Sequence, residues 1–159
     1  MRRAGLLIAA VSVVACAKNE TPKADTAAPA AAAAPAAPAA VTAADMVGTV
    51  TGKVMMESSD SVVSNFTCKT AAGGSVSKCV NAAAPKDTVD YTYTLSGADS
   101  VTWTSAAHTP PAPPKSPKQI DHVMGRLSGN TWKGTVVSVL ASKPDSVLSR
   151  TRWEGTKAP

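Results

Sequence analysis

Residues 46–159 predict an all-β domain, a single antiparallel meander of about seven strands curled into a small up-and-down barrel. Three observations carry this. Apolar and polar residues alternate with a period of two along most of the segment, the spacing at which successive side chains face opposite sides of a strand. Those runs are enriched in Val, Thr, Tyr and Trp, which suit a pleated, half-buried surface. Turn formers recur at short intervals: "SSDSVVSNF" from Ser58, "GADSVTWTS" from Gly97, "SGN" from Ser128 and "KPDSVLSRT" from Lys143. Short turns of this kind join neighbouring strands as hairpins.

Strands are expected near 48–57, 61–69, 88–96, 100–107, 119–127, 131–141 and 146–156. In the first, Val50, Val54 and Met56 share one face; in the third, Val89, Tyr91, Tyr93 and Leu95 do so. Val101 and Trp103 mark the inner face of the fourth, Trp132, Val136 and Leu140 that of the sixth, and Val147 and Trp153 that of the seventh. On the opposite faces stand Thr51, Lys53, Asp90, Thr92, Lys133 and Arg150, a polar exterior. No segment has a convincing helical period. Asp60, Asp99 and Asp145 each precede Ser-Val, and an aspartate in a turn can accept from the backbone two residues on. A β-sandwich is the alternative architecture, but the Cys, Trp, Cys order of immunoglobulin-type sandwiches is missing, because Trp103 follows both Cys68 and Cys79. Seven strands would gather the loop at about 70–87, the proline loop 108–117 and the turn 142–145 at one barrel end, together with the incoming N-terminal segment.

That N-terminal segment has a different character. Arg2 and Arg3 precede a mostly apolar run from Ala4 to Val14. It is shorter than the about 20 residues a membrane-crossing helix needs, and a positive start with a short apolar middle is the pattern of a signal peptide. The run ends Val13-Val14-Ala15-Cys16, which resembles the lipobox of bacterial lipoproteins. The resemblance implies cleavage before Cys16, a diacylglycerol on its sulfur and acylation of the new amino terminus. Two or more acyl chains hold a protein firmly to a bilayer. Ala17 in place of the aspartate that retains many such proteins in the inner membrane implies an outer-membrane address. On this reading residues 1–15 are the signal and residues 16–45 a lipid-anchored, disordered tether rich in Ala and Pro. The tether has too little apolar bulk to offset its ordering entropy. It would span roughly 30 Å.

Charge and cysteines narrow the rest. From Met46 onward there are 12 Lys and Arg against 8 Asp and Glu, a net of +4 with the signs interspersed. Such a mild excess in an exported chain argues against a nucleic-acid partner. Once Cys16 is used by lipid, Cys68 and Cys79 remain, in an oxidising compartment where a pair bridges. Their spacing suits neither a zinc pair nor a redox Cys-x-x-Cys.

No motif names a chemistry. A Gly-x-Ser-x-Gly elbow and a phosphate-cradling glycine loop are both missing, and the only histidines are His108 and His122. Asp121 and His122 are adjacent in a strand and so point to opposite faces. A metal site of both histidines with Asp121 requires the proline loop to fold back over the fifth strand. No catalytic residue, metal or cofactor is therefore assigned. The PxxP spacings of the proline loop are read as a rigid crossing. The expected role is a non-enzymatic binding or structural domain of the cell envelope, joined to the membrane through its lipid and facing an envelope protein partner. The alternatives are a lipocalin-like carrier of a small apolar ligand, with Tyr91, Tyr93, Trp103, Trp132 and Trp153 lining its cavity, and an envelope hydrolase. If those five aromatics instead fill the interior, they form one core cluster.

Overall fold

A computed structural model describes residues 40–158 apart from Ala98 and Pro114. The signal peptide, Cys16 and the greater part of the tether lie outside the described residues. Period-two alternation does produce strands, and eight of them close antiparallel in meander order into a barrel. They are β1 (Gly48–Met56), β2 (Val62–Thr70), β3 (Val76–Asn81), β4 (Ala84–Ser96), β5 (Ser100–Ser105), β6 (Gln119–Ser128), β7 (Thr131–Leu140) and β8 (Lys143–Lys157), preceded by a short helix α1 (Ala43–Met46). Closure removes the unpaired edges that an open sheet would present.

The additional strand is β3, within the segment expected to be a loop. Its inward residues are Ser77, Cys79 and Asn81, so no apolar alternation announces it. Ser77 is nonetheless buried, its hydroxyl paired with that of Thr70 at 2.8 Å. One more strand reverses the chain's parity. The proline loop and the turns at 81–84 and 140–143 sit at one end, while the incoming chain and the 71–75 loop sit at the other, not at the same end as expected.

Nor does the folded domain begin at Met46. Val41 and Met46 are buried in the core with Val101, Trp103, Trp132 and Trp153, so residues assigned to the tether close the floor of the barrel. The Asp45 carboxylate accepts the backbone N–H and the hydroxyl of Thr42, each at 2.8 Å. At the other end of α1, Lys157 Nζ donates to the carbonyls of Ala44 and Asp45.

Glycines make room for the rings inside. Phe66, Gly52, Gly155 and Trp132 stand side by side across β2, β1, β8 and β7. In the next row Val54, Trp153, Gly134, Gly125 and Val101 run from β1 to β5 the other way round the wall. Trp103 meets Trp132 and Trp153 edge-on, with centroids 5.4 and 5.7 Å apart, and Phe66 meets Trp153 at 5.9 Å.

Three residues expected inside are exposed: Met56, Leu95 and Val147. For Val147 the cause is a bulge in the β7–β8 pairing beside Val139, which exchanges the faces so that Leu148 meets the interior instead. Asp145 lies in β8 rather than in a turn. Asp60 and Asp99 reach Arg152 and Arg126 across the surface. The outer wall carries ion pairs such as Lys53–Glu154 and Lys78–Asp90, both at 3.0 Å, whereas a lipid-embedded barrel wears an apolar outer band.

Candidate functional site

Eight strands give an interior wide enough to be filled by side chains or to hold one small ligand. This barrel does both. The aromatic cluster fills the floor, and above it a cavity of about 590 Å³ runs towards the proline-loop end. Val54, Val89, Val123 and Val136 line its walls, with Phe66 and the indoles below. The Cys68–Cys79 disulfide joins directly opposed residues of β2 and β3, and both cysteines face this space. Pro110, Pro111 and Pro113 of the proline loop lie across the mouth. Val63 and Leu148 line it too, and with Val62 and Val147 they are exposed on the rim.

Of the five aromatics proposed from sequence to line a cavity, Tyr91, Trp103, Trp132 and Trp153 do so. Tyr93 packs against the core cluster, and its hydroxyl donates to the Gly74 carbonyl at 2.9 Å. Phe66, from a strand to which no inward face was assigned, joins the floor. Its neighbours Ser64 and Cys68 are small, so β2 shows only one large inward residue and little pattern.

One carboxylate organises the upper wall. Asp121 is buried, and three donors converge on it with a histidine beside them. Ser138 Oγ and Gln119 Nε2 reach Oδ1 at 2.7 and 3.0 Å. The Tyr91 hydroxyl reaches Oδ2 at 2.8 Å, and His108 Nε2 lies 3.4 Å from the same oxygen. Burial first, and then the charge of Asp121, hold the Tyr91 hydroxyl above the ordinary tyrosine range, so it stays a donor. His108 begins the proline loop, and its backbone exchanges hydrogen bonds with that of Gln119 at 3.0 and 2.8 Å. The loop is thus clasped at its base to β6.

The proline loop does fold back, yet it brings only one histidine to Asp121; His122 points outward and is exposed. Among the described residues no group of three or more His, Cys, Asp or Glu is placed to hold a metal ion. Ser105, His108 and Asp121 do form a contiguous set, but its geometry is that of a clasp. Ser105 Oγ is buried and accepts the backbone N–H of Asp121 at 2.8 Å. His108 Nδ1 is 3.5 Å from that oxygen and 3.2 Å from the Ala106 carbonyl, which can only accept, so Nδ1 carries its proton there. A nitrogen so protonated cannot take a proton from serine.

Comparison of the chain with family models, with curated proteins and with solved structures finds no match.

Proposed function

We propose that the protein is a lipid-anchored envelope carrier that holds one small apolar molecule in the upper half of its barrel. The observation that carries this is the cavity of about 590 Å³, inside the range of roughly 300–1,000 Å³ typical of small-molecule sites. Its floor is aromatic and valines line its walls, with polar side chains set among them, which is how ligand pockets are built. The proline loop over the mouth supplies a cover, and the exposed valines and leucine of the rim offer an apolar approach to it.

The anchor belongs to the same reading. Cys16 would carry the lipid, and the chain would then approach the barrel floor through Val41, leaving the mouth at the end away from the incoming chain. Exchange of ligand would take place at that free end, with an envelope partner or directly with the surrounding medium. The lipobox-like Val13-Val14-Ala15-Cys16 and the position of Ala17 support an outer-membrane address.

Two experiments test these two halves. The full chain with Cys16→Ser should bind the neutral apolar dye Nile red at one molecule per chain, with quenching of tryptophan emission; no saturable binding would remove the carrier reading. Wild-type protein should partition into detergent and show an acylated Cys16 by mass analysis, and an unmodified amino terminus at Ala17 would remove the anchor.

A further inference from the structure

We infer that the occupant of the cavity is an uncharged amphiphile, an apolar body over the indoles with a neutral hydrogen-bonding group near the mouth. This rests on the carrier reading above and adds the charge class of the ligand. The described residues that line the cavity include Asp45, Asp87 and Asp121 but no Lys or Arg. A carboxylate or phosphate ligand would therefore lose its hydration without gaining a fixed cation, a loss that burial makes steep.

The acids do not call for a cation either. Asp121 already accepts from three donors, Ser138 and Gln119 on Oδ1 and Tyr91 on Oδ2. His108, the only basic side chain among the described lining residues, lies beside Asp121 and is committed to the clasp. Asp45 lies at the closed end and accepts twice from Thr42. Asp87 is exposed at the rim, where water screens it. What remains for a ligand is neutral: the hydroxyls of Ser64, Ser149 and Thr151 on the side of the cavity formed by β2 and β8. A hydroxyl or carbonyl group can pair with these without either partner bringing a charge into the interior.

The test compares dodecanol, dodecanoate and dodecylamine, three chains of equal length with neutral, negative and positive heads. Each is titrated below its micelle concentration, at neutral pH, into the full chain carrying Cys16→Ser, with tryptophan emission as the readout. The alcohol should bind at least about tenfold more tightly than either ion, a difference of roughly 1.4 kcal/mol. Equal or tighter binding of the carboxylate or the amine overturns the neutral-ligand assignment and leaves the carrier reading standing. Failure of all three to bind, with Nile red also unbound, overturns both. If Nile red binds and none of the three does, an amphiphile of this shape is excluded and this inference alone falls.

Discussion

The indole of Trp153 lies against Gly125, two strands away across the barrel wall, and donates its N–H to the carbonyl of Met124 at 3.0 Å. A β-carbon at residue 125 would come within 2.6 Å of Trp153 Cζ2 and 3.0 Å of Trp103 Cζ3. Gly125→Ala should therefore force both rings from their places. Overpacking of this kind costs about 1–3 kcal/mol. Urea unfolding followed by tryptophan emission measures it, and stability equal to wild type would mean that the rings are not held where they are described.

The Asp121 network makes a second prediction through its asymmetry. Asp121→Ala strands the Tyr91 and Ser138 hydroxyls and the Gln119 amide without their acceptor, and each buried donor left unpaired costs about 1–3 kcal/mol. Tyr91→Phe removes one donor from a carboxylate that keeps two, so it should cost less. Chemical denaturation of both variants gives the order; the reverse order would show that the carboxylate is not the centre of the network.

His108→Ala removes a side chain that ties the proline loop to β6. Amide hydrogen exchange should quicken across 109–119 while the β7 and β8 amides keep their protection. Unchanged exchange in the loop would place its restraint in the backbone pairing of His108 with Gln119 instead.

The disulfide closes a loop of 11 residues in sequence. Replacing both cysteines by alanine should cost about 2–4 kcal/mol, the usual contribution of a bridge of this kind. The same urea transitions measure it.

Acid should loosen the floor of the barrel. The Asp45 carboxyl is held below its ordinary value of 3.8, first by the Thr42 backbone N–H and then by the Thr42 hydroxyl. A group lowered on folding contributes its full stabilisation above its unfolded value, and that contribution disappears as the pH falls through the lower folded value. Exposure keeps the size to about 0.5 kcal/mol or less. Asp45→Asn should reduce stability at neutral pH and match wild type once the pH is well below 3.8; a constant difference at every pH would detach the effect from ionisation.

The sequence displays the barrel wherever the inward residues are large. Trp103, Trp132 and Trp153 alternate with Thr, Lys and Arg, and their strands were legible within a few residues. Where inward positions are small or polar, the alternation disappears: Ser77, Cys79 and Asn81 left β3 invisible, and with it the parity of the two barrel ends. Val147 misled because the bulge near Val139 depends on the partner strand, which period alone does not reveal. The polar side of the cavity was hidden for a related reason. His108 and Asp121 are brought together by a loop whose path no local pattern states, and the role of Asp121 shows only once its three donors are placed around it. No local pattern explains Gly125 or Gly134 either: the first leaves room for the rings of Trp153 and Trp103, the second for the close backbone of Met124 and Gly125.

The hollow upper barrel is tested most directly by locating a bound molecule. With dodecanol added to isotope-labelled full chain carrying Cys16→Ser, intermolecular NMR contacts should run from its methylenes to the methyls of Val123 and Val136 and to the indole of Trp103, all inside the cavity. Contacts confined to the exposed Val62 and Val147 would place the ligand on the outer surface and contradict a carrier built around the barrel interior.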